Sequence, residues 1–197
     1  GRPRALSFLR NLAARPRSIT TDASSAVGTA AERSLSRDRL GSLRISLSPK
    51  SASGAQMARD DQLERMKTLG VTPSFFSAHT YYWGDRHRDI FMGPQRAARM
   101  SPTRSAQQLG LRYSVHLDTP VVPMDPLLLL WSTVNRTSAS GATIGAEQGI
   151  TVKQALRAMT LDAAWQIHRE RELGSLEAGK LADFVVLDKN PLAIAPE

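Results

Sequence analysis

The chain has 197 residues and no cysteine, which excludes disulfides, thiolate metal sites and a cysteine nucleophile; a metal would need His, Asp or Glu. Its densest apolar run, "PLLLLW" at 126–131, is far short of the about 20 residues a membrane-spanning helix requires. The net charge of +8 is uneven, with 10 Lys/Arg against 3 Asp/Glu in residues 1–50 and 16 against 15 in the remainder. The later part of the chain is therefore nearly neutral, which argues against a basic nucleic-acid face there.

Residues 1–53 are rich in Arg, Ser and Ala, with Phe8 the one aromatic residue. Their composition predicts an irregular or disordered segment. A transit peptide, or a stretch not native to the rest of the chain, are the alternatives. "RISLS" at 44–48 alternates like a short strand but has no obvious partner. Near residue 54 the character changes. "ARDDQLERMKTLG" predicts a helix, with acids early, Leu63, Met66 and Leu69 on neighbouring turns and Gly70 as the stop. "VTPSFF" reads as a short buried strand. His79 follows it, with Asp85 and His87 assigned to the loop beyond.

"SPTRSAQQLG" predicts a helix with Ser101 as N-cap, Pro102 at the first turn and Gly110 as the stop. "RYSVHLD" alternates, with Tyr113, Val115 and Leu117 on one face and Ser114, His116 and Asp118 on the other. "LLLLWSTVNRT" predicts a buried helix starting near Pro126. Thr151 and Gln154 have capping-box spacing ahead of another helix. "GSLEAGKLADFVVLD" reads as two short strands around a turn. Helices alternating with short strands define an α/β fold.

His79 and Asp118 each follow a strand, the position from which functional side chains project in a parallel α/β barrel. An imidazole and a carboxylate so placed suit metal ligation and proton abstraction from bound water. Taken singly, each residue also has an ordinary structural reading: His79 within an aromatic core, Asp118 in a Thr-Pro turn, and His87 and His168 in solvent. No phosphate-binding loop, dinucleotide fingerprint or GxSxG elbow is present.

Together, "GVTPSFFSAHTYYWGDRHRD", "SPTRSAQQLGLRYSVHLDTPVVPMDPLLLLW", "GITVKQALRAMTLDAAW" and "LGSLEAGKLADFVVLDKNPL" resemble the C-terminal part of a metal-dependent amidohydrolase of family 3, the YtcJ-like branch. The resemblance runs from about Ala55 to Pro196. It implies a (β/α)8 barrel with a small β-sandwich, a divalent metal such as zinc, and hydrolysis of an amide-type carbon–nitrogen bond in a small molecule. It also implies His79 as the metal ligand after strand six, and Asp118 after strand eight as metal contact and general base. His116, Tyr82, Trp83 and Asp85 match recurrent positions near the pocket.

The family's HxH pair has no counterpart among His79, His87, His116 and His168, and Gly54 stands where a strand-five histidine precedes "AQ". Residues 55–197 are also fewer than the ~250 of a closed barrel. The organisation expected is a basic segment at 1–53, a partial barrel from strand six onward at 54–170, and β-sandwich return strands at 171–197. A fragment of this kind is expected to be inactive alone and to self-associate through open barrel edges. The expected compartment is the cytoplasm, with organellar targeting as the alternative. A different class of function, a non-catalytic protein whose basic leader binds nucleic acid or acidic surfaces, is weakened by the leader's lack of aromatic residues for base stacking.

Overall fold

The computed structural model describes residues 50–195. Strand β1 (Lys50–Ser53) leads through helix α1 (Asp60–Thr68) to strand β2 (Val71–Phe75). The two strands pair in parallel, Lys50 opposite Val71 and Ser53 opposite Ser74. β1 thus occupies the last four positions of the segment expected to be irregular. "KSAS" carries no apolar alternation to signal a strand; backbone pairing with β2 makes it one. The "RISLS" stretch lies outside the described residues.

Helix α1 forms where its caps and charges predict. Asp60 and Asp61 occupy the first turn, Arg65 and Lys67 the last, and the Gln62 side chain accepts the Arg59 N–H at 2.9 Å. Leu63 is its fully buried residue.

Beyond β2 the chain forms helix α2 (His79–Arg86), continued by a π-helical turn over His87–Phe91. Helices α3 (Gly93–Ala98) and α4 (Thr103–Gln108) follow, and then strand β3 (Ser114–Val115). β3 pairs in parallel directly with β2, Ser74 opposite Ser114 and Phe75 opposite Val115. This pairing begins one residue past Pro73, whose ring has no N–H to give. No described strand lies between β2 and β3. The strand before Asp118 is therefore the immediate neighbour of the strand before His79, whereas the numbering six and eight implies an intervening strand.

α4 begins one residue later than Ser101 and Pro102 predict, with Pro102 rather than Ser101 at the N-cap. Ser101 takes a left-handed backbone (φ 46°), and Thr103 donates its hydroxyl to the Gln148 carbonyl at 2.6 Å.

Helix α5 (Pro126–Asn135) is capped by Asp125, which accepts the Leu128 N–H at 2.9 Å. A 3-10 turn (Ala146–Gln148) precedes α6 (Val152–Met159) and α7 (Leu161–Gln166). The expected capping box is present at α6: Gln154 N–H donates to Thr151 Oγ1, and Thr151 N–H donates to Gln154 Oε1. Leu63, Phe75, Tyr113, Val115, Leu129, Leu130 and Ile150 form the main core between sheet and helices. No described helix is long and apolar enough to cross a membrane.

The two strands expected within 174–188 do not form among the described residues. Phe184, Val185 and Val186 are exposed. The stretch has the residues of a strand, but a strand exists only with a partner to bond, and no described segment pairs with it.

Candidate functional site

The turn Phe76–Ala78 carries the chain from β2 into α2 and sets His79 at the helix start, its N–H donating to the Phe76 carbonyl at 3.1 Å. Asp85 and His87 were expected in a loop. The helix instead runs through both, so His79, Trp83 and His87 recur every four residues on one side. The His79 ring lies 4.9 Å from Trp83, 5.1 Å from Phe76 and 4.4 Å from His87, centroid to centroid. His87 Nε2 is 2.9 Å from His79 Nδ1. His87, read from sequence as solvated among charges, is thus half-buried against His79. The four-residue spacing was its signal, hidden by treating the stretch as loop.

His116 sits just past β3, its N–H donating to the Phe75 carbonyl at 3.0 Å and its ring stacked on Phe76 at 5.7 Å. Its Nδ1 lies 2.7 Å from Ser74 Oγ. Asp118 is exposed, with a left-handed backbone (φ 61°), and opens a turn through a cis Thr119–Pro120 bond. Phe76 therefore separates two imidazoles, and the Asp118 carboxylate acts electrostatically on both.

Burial drives His79 down to about 4, helped by repulsion from His87 and opposed by Asp118. His87 is lowered by burial, and His116 is lowered by burial against the pull of Asp118. At neutral pH all three are neutral imidazoles able to act as bases or ligands. A histidine with a depressed folded pKa takes up its proton in the unfolded chain first, so stability is full above about pH 6.5 and falls on acidification. For His79 that loss continues down to about pH 4. Urea midpoints compared at pH 7 and pH 5, above the main carboxylate range, should show the loss, and His79→Gln should shallow it.

The other pocket candidates divide. Trp83 packs edge-on to Phe76 (6.1 Å) and belongs to the His79 cluster. Tyr82 contacts Trp83 at 5.5 Å and Tyr81 at 5.2 Å; burial, then the charge of Asp125, raises its pKa. Asp85 accepts hydrogen bonds from Ser138 Oγ (2.9 Å) and Ser140 Oγ (3.0 Å) and pairs with Arg88 at 3.2 Å. It ties the 138–140 loop to α2.

Among the described residues no group of three or more His, Asp or Glu side chains is arranged to hold a metal ion. His79 and His87 direct nitrogens at each other rather than at a shared point, and Asp118 stands apart in solvent. A catalytic zinc uses three protein ligands plus water, so these side chains alone do not fit one. All four histidines of the sequence fall within the described residues.

The parallel α/β arrangement is shared with solved metal-dependent hydrolases. An uncharacterized metal-dependent hydrolase from Pyrococcus horikoshii OT3 matches with a TM-score of 0.64 at 26% identity, covering 75% of this chain and 30% of that one. The chain belongs to the amidohydrolase family, whose profile matches residues 12–197. That match takes in most of the basic segment that composition sets apart from the remainder.

An N-substituted formamide deformylase of Arthrobacter pascens is 31% identical over 141 residues, 72% of this chain and 26% of that protein. The putative amidohydrolase YtcJ of Bacillus subtilis is 28% identical over 149 residues, 72% of this chain and 27% of that protein. The chain thus spans about a quarter of the length of these relatives.

Proposed function

We propose that this chain supplies one wall of the active site of a metal-dependent hydrolase that cleaves an amide-type carbon–nitrogen bond in a small molecule. The carrying observation is that His79 and Asp118 follow the C-terminal ends of two adjacent parallel strands. In this reading His79 is a metal ligand. Asp118, exposed and free to move its carboxylate, is the proton acceptor and a second contact to the metal. Phe76 and Trp83 hold the His79 ring in place, and Tyr82 packs against Trp83. The remaining donors come from outside the described residues, which do not hold a metal alone. The formamide deformylase relative motivates the bond class.

A chimera tests this reading: residues 55–197 replacing the matching quarter of the Arthrobacter deformylase. The chimera should bind metal and hydrolyse an N-substituted formamide. Asp118→Asn within it should cost about 10²–10⁴-fold in kcat, and His79→Gln should lose metal. A metal-loaded, active chimera indifferent to both substitutions would refute the assignment.

A further inference from the structure

Behind His116 a file of polar side chains crosses the sheet. His116 Nδ1 lies 2.7 Å from Ser74 Oγ, which lies 2.9 Å from Ser114 Oγ, which lies 2.5 Å from Gln166 Oε1. Gln166 Nε2 in turn donates to Ser51 Oγ at 2.7 Å and to the Thr72 carbonyl at 3.2 Å. Ser74 and Ser114 are buried and face each other across the β2–β3 pair. This file explains why Ser114 is buried although it lies on the face of "RYSVHLD" opposite the apolar Tyr113 and Val115: it covers a polar seam.

The direction of every proton in the file follows from one fixed point. A backbone carbonyl only accepts, so the Gln166 amide must turn Nε2 toward Thr72, leaving Oε1 toward Ser114. Oε1 also only accepts, so the single Ser114 hydroxyl proton goes to it. Ser114 then has none left for Ser74, and Ser74 must donate its own proton to Ser114. Ser74 Oγ can therefore offer His116 only a lone pair, and His116 Nδ1 must be the donor. Nε2, which makes no hydrogen bond among the described residues, is left bearing the lone pair.

We infer that Gln166, acting through Ser114 and Ser74, is a positioning residue that locks His116 in the Nδ1–H tautomer and presents Nε2 as the open nitrogen on the Asp118 side of the site. The substrate-facing role of that nitrogen, as proton acceptor or cation ligand, rests on the hydrolase reading above. The tautomer itself does not.

The test is nitrogen-15 NMR of the histidine side chains in the full chain at pH 7.5, without metal, the His116 signals being assigned by His79→Gln, His87→Gln and His168→Gln. His116 should show a protonated Nδ1 and an unprotonated Nε2. Ser114→Ala deprives Ser74 of its acceptor and turns the Ser74 proton onto Nδ1. Gln166→Met frees the Ser114 proton and lets the file reverse. Each should shift the tautomer ratio toward Nε2–H by roughly tenfold, the weight of one hydrogen bond. Gln166→Glu, still an acceptor toward Ser114, should keep the Nδ1–H form.

A wild-type His116 carrying its proton on Nε2 would overturn the inference. So would a ratio unmoved by both Ser114→Ala and Gln166→Met in variants whose circular dichroism is native. The readout needs neither metal nor turnover, so failure of the chimera and failure of the tautomer are separate results.

Discussion

Arg136→Met is expected to lower the unfolding free energy by roughly 3 kcal/mol or more. Arg136 is fully buried at the C-terminal end of α5, in a left-handed conformation (φ 54°). Its guanidinium contacts main-chain carbonyls: Met100 at 2.5 Å, Ile144 at 3.2 Å, Gly145 at 3.3 Å, and Ser101 and Ala98 at 3.4 Å. Burial brings its pKa down to about 10, against the opposing charge of Glu147, so it remains charged at neutral pH. It therefore pins three segments: the end of α3 with the 98–101 turn, the α5 terminus, and the 144–145 loop. Met keeps an unbranched apolar stem and the same backbone strain, so the substitution removes the donors together with the volume of the guanidinium. Arg136→Lys should recover little, because a compact ammonium cannot reach a fan of carbonyls as a planar five-donor fork can. Urea denaturation of the three proteins measures the difference.

Gly145→Ala should be of comparable severity, roughly 3 kcal/mol or more. Gly145 has φ +65°, and a Cβ built there would lie 1.8 Å from the Ala98 carbonyl oxygen. That oxygen is backbone and is itself held by Arg136, so relief requires moving the knot that Arg136 ties. The two substitutions share partners and should be strongly non-additive. The double mutant should lose clearly less than the sum of the singles, and full additivity would contradict the shared knot. The failure should also reach the site, since Ile144 packs against Gly84 of α2, where an added Cβ would meet its Cγ1 at 2.9 Å.

Where local signals agreed, the sequence was readable. The acids and glycine around α1, Asp125 and Pro126 at α5, and the Thr151–Gln154 box at α6 all mark elements that form. Legibility failed where a non-local partner decides. β1 is a strand because β2 lies beside it, and the β-rich "ADFVVL" stays unpaired because no described segment does. Arg136 gave no signal, since an arginine in "VNRTSAS" looks solvated until the fold wraps carbonyls around it.

The placement of His79 and Asp118 just beyond two strand ends was legible in the sequence. His87 and the Ser74–Ser114–Gln166 file were not. The first was obscured by reading a helix as loop, and the second joins residues far apart in sequence. For Asp85 the resemblance implied a place near the pocket; its bonds to Ser138 and Ser140, which join it to a loop far along the chain, had no sequence signal.

The central claim is that this chain brings His79 and Asp118 to a metal-dependent hydrolase site whose other donors lie elsewhere. The most direct measurement is metal content and amide hydrolysis of the purified chain after zinc loading and dialysis. The expected result is well under one zinc per chain and no turnover of an N-substituted formamide. One tightly held zinc per chain, with turnover abolished by Asp118→Asn, would contradict it.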